Sequence, residues 1–578
     1  MGSMHSAPTY VAAGALVAAM GLAAPATAFD PTRETASASA SAPRAVYVSV
    51  HGSDRSSGTS QHPLRTIQAA INRAPAGGTV VVRPGRYHEG LTIAGKDGLT
   101  LRAAKRGTVW VDGTSRVKRW QHSGSAWVHS NWSYQFNASP TFSWNAPDNP
   151  NANWSFVNPA HPMAAHPDQV FVDGHSLRQV RSQAAVRRGR FYVDYATNKL
   201  YVGTNPTGRD VRASTIAKAM SIQSSGVTVD GINVRGFAPS VPNMGAITVE
   251  RPHVLLTHMI VRDMSTTGAF VMSTHDQLRH VSFRHNGLMG FMATHATGLR
   301  VDHVWAINND TELFNQSPAA GGAKIGRTTD VRVTNSRFSH NHANGLWFDE
   351  SSYRIQVIHS RMKDNSGHGI SVEISGHALI AGNLIVSNGG NGIKINDTDN
   401  VELWNNTFVG NARPIAVLQD NRDVNPGGSY HDPHLPLSFV TRHITIANNI
   451  VARAGAGSDC ALCVQDYTHR FTAENLDVQA NGNAYQRSDA RTPARLVLWS
   501  RGSGSPALFS TITDFRAATG QEASHLALNG KRAVTRTFRP TAIVQRRANQ
   551  VAQPLPADIA SACGRSPGGR WLGAWFGA

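Results

Sequence analysis

"NGLWFDESS" at residues 344–352 is restated as "HGISVEISG" at residues 368–376. Each stretch has a Gly followed by an apolar residue, and each sets an acid four residues after that Gly. The acids are Asp349 after Gly345 and Glu373 after Gly369. The restatement runs on in both directions. Asn341, Asn365, Asn388 and Asn411 follow one another at 24, 23 and 23 residues, and Gly322, Gly345, Gly369 and Gly392 at 23, 24 and 23. Between these markers stand "VRVTNSRF", "IQVIHSRM", "ALIAGNLIV" and "VELWNNTFV", whose apolar residues alternate at period two instead of the helical 3.6. A unit of this length, built of short strands, predicts one coil of a parallel β-helix. Such coils stack through main-chain hydrogen bonds, with small residues and Asn in the tight turns. A leucine-rich repeat has a similar period but needs a regular Leu pattern, which is absent here.

Strand geometry then assigns faces. Leu346 and Phe348, Ile370 and Val372, Ile393 and Ile395, and Ala323 and Ile325 point inward. One outer column is Lys324, Trp347, Ser371 and Lys394; the next is Gly326, Asp349, Glu373 and Asn396. Equivalent residues sit about 4.8 Å apart on successive coils. Asp349 and Glu373 are therefore expected to face solvent as a repelling pair, one of them with a raised pKa. Paired carboxylates suit acid/base and nucleophile roles in glycoside hydrolysis. Trp347 offers a flat face for a sugar ring, and Lys324 and Lys394 can position hydroxyl or carboxylate groups. Glu350 and Asp397 lie one residue further along their strands, and His368 is near enough to remain a substrate-binding candidate. His340 and His342 read as turn histidines. The competing reading is that the acids are solvated or turn-capping residues and that Trp347 packs under the Trp-rich stretch of residues 116–215. No cofactor is expected, although the same oxygens could hold Ca²⁺.

The opening "PLRTIQAAINRAPAGGTVVVRPGRYHEGLTI" at residues 63–93 adds a short amphipathic helix and two strands to the downstream coils. Together they resemble secreted bacterial right-handed parallel β-helix proteins of the pectate-lyase-like superfamily, over most of residues 45–455. The resemblance implies an all-β, right-handed single-stranded parallel β-helix with a small inserted β-rich module and terminal caps. It implies less about chemistry, since the superfamily holds lyases, hydrolases, epimerases and non-catalytic adhesins.

The chain divides accordingly. Residues 1–28 read as an export signal, with the short apolar run "YVAAGALVAAMGLAA" before small Ala26 and Ala28, although no Lys or Arg precedes the run. Residues 29–44 read as a flexible leader, 45–115 as an N-terminal cap and first coils, and 116–215 as an inserted Trp-rich β module. Residues 216–455 form the main helix and 456–578 the last coils and cap, with "GRWLGAWFGA" covering the open end. The apolar fraction of 40% is ordinary for a folded protein, and 55 Lys and Arg against 37 Asp and Glu leave a net charge of +18. This balance suits an acidic partner such as an anionic polysaccharide, a cell-wall polymer, nucleic acid or a membrane surface, and equally an Arg-rich composition spread over a solvated surface. No nucleic-acid motif and no membrane span appears, and a secreted monomer is expected. Of three Cys, Cys460 and Cys463 can form a local disulfide or stay as free thiols, and Cys563 is left over.

The leading function is a secreted glycoside hydrolase using Asp349 and Glu373. The alternatives are a polysaccharide lyase, with a Lys base and Ca²⁺ neutralising a uronate, and a non-catalytic glycan-binding β-helix.

Overall fold

The computed structural model describes residues 45–574 except 425–429, 456–457, 490–491 and 494. The expected export signal and leader lie outside the described residues. The coil that opens at Asn344 shows the repeating unit. Strand Asn344–Asp349 leads through a bend to strand Tyr353–Ile358, a corner at His359 and Ser360, and strand Arg361–Lys363. The chain then returns to Ile370–Glu373, one coil on. Every strand pairs in parallel with its equivalent: Leu346 with Ile370, Ile355 with Ala378, Met362 with Ile385. Repetition builds one 13-stranded sheet and a second of 24 strands that carries the other two faces.

The interior follows from the alternation. Leu346, Ile370, Ile393, Ile415, Leu462 and Val497 form a column with no exposed surface. Each such side chain contributes about 1.5–3 kcal/mol on burial.

The Asn and Gly phasing has one cause. Asn341, Asn365, Asn388 and Asn411 line up in one turn column, preceded by Asn286 and Asn309. Each amide Nδ2 donates to the next Oδ1, at 2.9, 3.0, 2.9, 2.8 and 2.8 Å along the six residues. A Cβ on Gly345 would lie 2.7 Å from the Gly369 carbonyl oxygen and 2.8 Å from Asn365 Nδ2. Glycine leaves open the space beside the amide ladder, so the two periods must run together. A second ladder of Asn383, Asn406, Asn449 and Asn483 ends on Glu522, whose Oε1 accepts from Asn483 Nδ2 and the Tyr485 hydroxyl, both at 2.7 Å.

The insert leaves the helix and returns without breaking it. Strand Leu91–Ala94 pairs directly with Met220–Gln223, and Val109–Asp112 with Ile232–Arg235. The excursion between them forms a 4-stranded and a 5-stranded sheet. It has its own core of Trp132, Phe191, Leu200 and Val202 among others. Its stretch Phe142–Ala165 lies back on the coils. Phe142 meets Phe270 edge-on at 6.2 Å, and Asn315 Nδ2 donates to the Ser155 carbonyl at 2.8 Å.

At the other end, stacking continues past residue 455 through Leu462–Asp466, Asn483–Arg487 and His525–Asn529. The repeat is hard to see there because the turns lengthen. "GRWLGAWFGA" does not close the end of the helix, as far as it is described. Asn405 Nδ2 donates to the Trp571 carbonyl at 2.7 Å, and Leu555, Ile559 and Cys563 pack on Ile358, Ala381 and Trp404. The C-terminal segment thus runs along the side of the coils, where the outward face of these strands is apolar. Phe515, on helix Ile512–Thr519, packs instead on Trp499 and Phe509 of the last strands of the 13-stranded sheet. Cys460 and Cys463 are joined in a disulfide, and Cys563 is a buried free thiol.

Candidate active site

The two outer columns exist in the expected register. Lys324 pairs with Trp347, Trp347 with Ser371 and Ser371 with Lys394; beside them Gly326 pairs with Asp349 and Glu373 with Asn396. The environment differs from the expectation. Asp349 and Glu373 do not face open solvent: they retain 6% and 9% exposure. They point away from the core of the coil, but two extruded segments cover them. One runs from Asn309 to Ala320, ahead of strand Gly321–Gly326; the other begins at Asp420, after strand Arg413–Gln419. From the first, the Pro318 carbonyl accepts from Lys324 Nζ at 2.8 Å. From the second, Arg422 reaches Glu373 at 2.8 Å, Asp397 at 2.6 Å and Asp420 at 3.0 Å. Tyr430, Leu437 and Phe439 of that segment cluster with Tyr353 and Ile374 beside the pair.

The acids are also not a bare repelling pair. Lys324 Nζ stands 2.7 Å from Asp349 Oδ2 and 4.0 Å above the Trp347 ring, while Lys394 Nζ stands 3.1 Å from Glu373 Oε1. Their proton affinities diverge. Burial raises the Asp349 carboxyl to about 6, with the Glu373 charge adding to the rise and Lys324 opposing it. Burial acts upward on Glu373 too, but the Lys394 and Arg422 charges outweigh it and hold this carboxyl below its ordinary value. Asp397 is raised to about 8 by burial and by Asp420 at its side.

Trp347 is buried, and among the described residues neither its indole Nε1 nor the buried Ser371 Oγ beside it has a hydrogen-bond partner. Two adjacent buried donors without acceptors are unusual, because each costs about 1–3 kcal/mol. They sit on the same face as the acids, where a ligand oxygen would satisfy them.

The remaining candidates separate. Glu350 turns aside to Arg327 at 2.9 Å, in a left-handed turn of φ +50°. His368 is half-buried: its Nδ1 accepts from the Asn391 N–H at 2.9 Å, and burial followed by the Lys394 charge lowers it to about 4. It is a neutral ring that holds the turn beside Lys394. His340 and His342 are turn residues bonded to Asp364 and to the Asp310 carbonyl.

Sequence reasoning missed Arg422, Asp420 and the Pro318 carbonyl. A signal for them was present. Asn309 to Asn341 spans 32 residues and Asn406 to Asn449 spans 43. The excess residues in these two coils are the segments that cover the acids.

A family model described as a right handed beta helix region matches residues 245–412, and that of a protein family of unknown function matches residues 50–93. Over 74 residues the chain is 42% identical to YwoF, an uncharacterized protein of Bacillus subtilis (strain 168), a match covering 12% of this chain and 16% of that protein. Among solved structures, XylC in complex with xylose aligns over 84% of this chain and 86% of its own, with a TM-score of 0.60 at 16% identity. The A-module of the mannuronan C-5 epimerase AlgE4 of Azotobacter vinelandii aligns over 69% of this chain and 86% of its own, with a TM-score of 0.40 at 15% identity. The fold is a right-handed parallel β-helix. Among the described residues, no helix is long and apolar enough to cross a membrane.

Proposed function

We propose that the protein is an exported carbohydrate-active enzyme that hydrolyses glycosidic bonds, with Asp349 as general acid and Glu373 as nucleophile or general base. One observation carries the reading: two carboxyls on adjacent coils have proton affinities pushed in opposite directions, up for Asp349 and down for Glu373. An acid that keeps its proton beside one that stays ionised is the division of labour glycoside hydrolysis requires. Asp349 would protonate the leaving glycosidic oxygen while Glu373 attacks the anomeric carbon or deprotonates water. Lys324 would steady Asp349 once it has given up its proton. Lys394 and Arg422 keep Glu373 anionic, and Trp347 Nε1 and Ser371 Oγ would donate to sugar hydroxyls. The fold is shared with a protein solved with xylose, which agrees with a sugar ligand.

The test is a panel of neutral and uronate polysaccharides, followed for reducing ends and for the absorbance of an unsaturated product. Reducing ends should appear without the chromophore. Asp349→Asn and Glu373→Gln should each lose about 10²–10⁴-fold in turnover with unchanged circular dichroism. Chromophore formation would assign elimination instead. Unchanged turnover in both variants would show that this pair is not catalytic.

A further inference from the structure

A cleft of about 880 Å³ lies between the insert and the coils, apart from the Asp349–Glu373 face. This size is in the range of ligand pockets. The insert contributes His161, Phe171, Arg178, Arg181 and Arg190 to its lining; the coils contribute Arg262, Asp263 and His285, and the extruded segment that starts at Asn309 contributes Glu312. The charge is one-sided. Arg262 is neutralised by Asp263 at 2.6 Å. Among the described residues Arg178, Arg181 and Arg190 have no carboxylate within ion-pair distance, and the nearest partner of Arg178 is His161 Nδ1 at 3.5 Å. Burial, then the charges of Arg187 and Arg178 nearby, lower the pKa of Arg190. A sequence selected for folding alone gains nothing by crowding guanidinium groups at the mouth of a cleft.

The facing acid does not balance them. Burial pushes the Glu312 carboxyl up to about 7 against the pull of Arg178, so near neutral pH it is often protonated and able to donate. Asp310, two residues before it, is buried, and among the described residues its Oδ2 has no partner. Met163, Phe171 and Leu177 add an apolar ledge. Guanidinium forks and apolar side chains lining one cleft match a sugar ring that carries a carboxylate or sulfate.

We infer that the cleft between insert and coils is a second carbohydrate-binding site, selective for anionic sugars, in which Arg178 and Arg190 bind the acidic group. This explains what the insert is for. The inference concerns binding alone, so it stands whether or not Asp349 and Glu373 catalyse hydrolysis.

The experiment is calorimetric titration of the full chain with tetragalacturonate, a sulfated tetrasaccharide and neutral xylotetraose, at 50 and 300 mM NaCl. At least one anion should bind, more weakly at high salt because the Debye length shortens. Whichever binds more tightly identifies carboxylate or sulfate as the group recognised. Arg178→Gln and Arg190→Gln should each weaken that binding about tenfold, the loss expected from one charged hydrogen-bonding group, and the double variant about a hundredfold. Circular dichroism melting checks that the variants fold, and either single variant decides the matter if the double does not. The inference is overturned if xylotetraose binds as tightly as the anions. It is equally overturned if neither anion binds at millimolar concentration, or if the folded variants bind within twofold of the wild type.

Discussion

Replacing Lys324 by Met tests the electrostatic account of the site, independently of any substrate. The ammonium touches Asp349 Oδ2 at 2.7 Å, the Pro318 carbonyl at 2.8 Å and the Trp347 ring at 4.0 Å. Met keeps most of the volume and removes the charge. In the wild type the folded state holds the Asp349 proton up to about pH 6, against about 3.9 for an unfolded Asp. A carboxyl raised on folding lowers stability as pH rises between those two values, because the fold binds the proton more tightly than the unfolded chain does. At 1.36 kcal/mol per unit, the loss levels off near 3 kcal/mol above pH 6. Without Lys324 the folded carboxyl stays protonated to higher pH, so the loss keeps growing and approaches about 5 kcal/mol at pH 7.5. The variant should therefore be about 2 kcal/mol less stable than the wild type at pH 7.5 from this source, and nearly equal at pH 5. The lost Pro318 hydrogen bond adds about 1 kcal/mol at both values. Urea unfolding followed by tryptophan fluorescence at the two pH values measures this. Adding Asp349→Asn should recover most of the pH-dependent part. A destabilisation independent of pH, or one that Asp349→Asn leaves in place, refutes the reasoning.

Three further outcomes are expected. The pH profile of kcat/KM should fall above about pH 6 as free Asp349 loses its proton, and fall again below the ordinary Glu range as Glu373 gains one; activity still rising at pH 8 contradicts the assignment. Asn365→Ala should lower stability by about 2–5 kcal/mol in denaturant titration, since it removes the acceptor of the Asn341 N–H and breaks the amide ladder on both sides. Asn365→Asp should cost more, because it sets a carboxylate against the Phe338 and Asn388 oxygens; the reverse order would reject the ladder's role. Trp347→Phe keeps a ring under Lys324 but deletes the unpartnered Nε1, so KM should rise about tenfold with the melting temperature nearly unchanged.

The register of the coils was legible because it is written locally. Gly345 and Asn365 must recur at one interval if an amide ladder is to fit beside a bare backbone, and Leu346 and Phe348 must alternate with Trp347 and Asp349. The outer columns follow from counting by twos. The enclosure of the site was not legible. Arg422 meets Glu373 at a sequence separation of 49 residues, and Asn315 meets Ser155 at one of 160. Such contacts depend on how a loop folds back, which no short-range pattern records. The acids were placed correctly on the outward face and incorrectly in open solvent for this reason. The same limit applies to "GRWLGAWFGA", which is apolar enough to cover something but does not say what.

The amide ladder also separates what evolution can alter from what it cannot. Five successive Asn-to-Asn hydrogen bonds bridge steps of 23, 32, 24, 23 and 23 residues with equal ease. The 32-residue step contributes Pro318 to the site, and a 43-residue step in the second ladder contributes Arg422. Added length leaves the stack at a corner, and the next coil resumes in register. The scaffold can therefore accept new loops without repacking its interior. A lineage of such proteins is free to change its ligand by lengthening one or two coils while the rest of the molecule stays as it was.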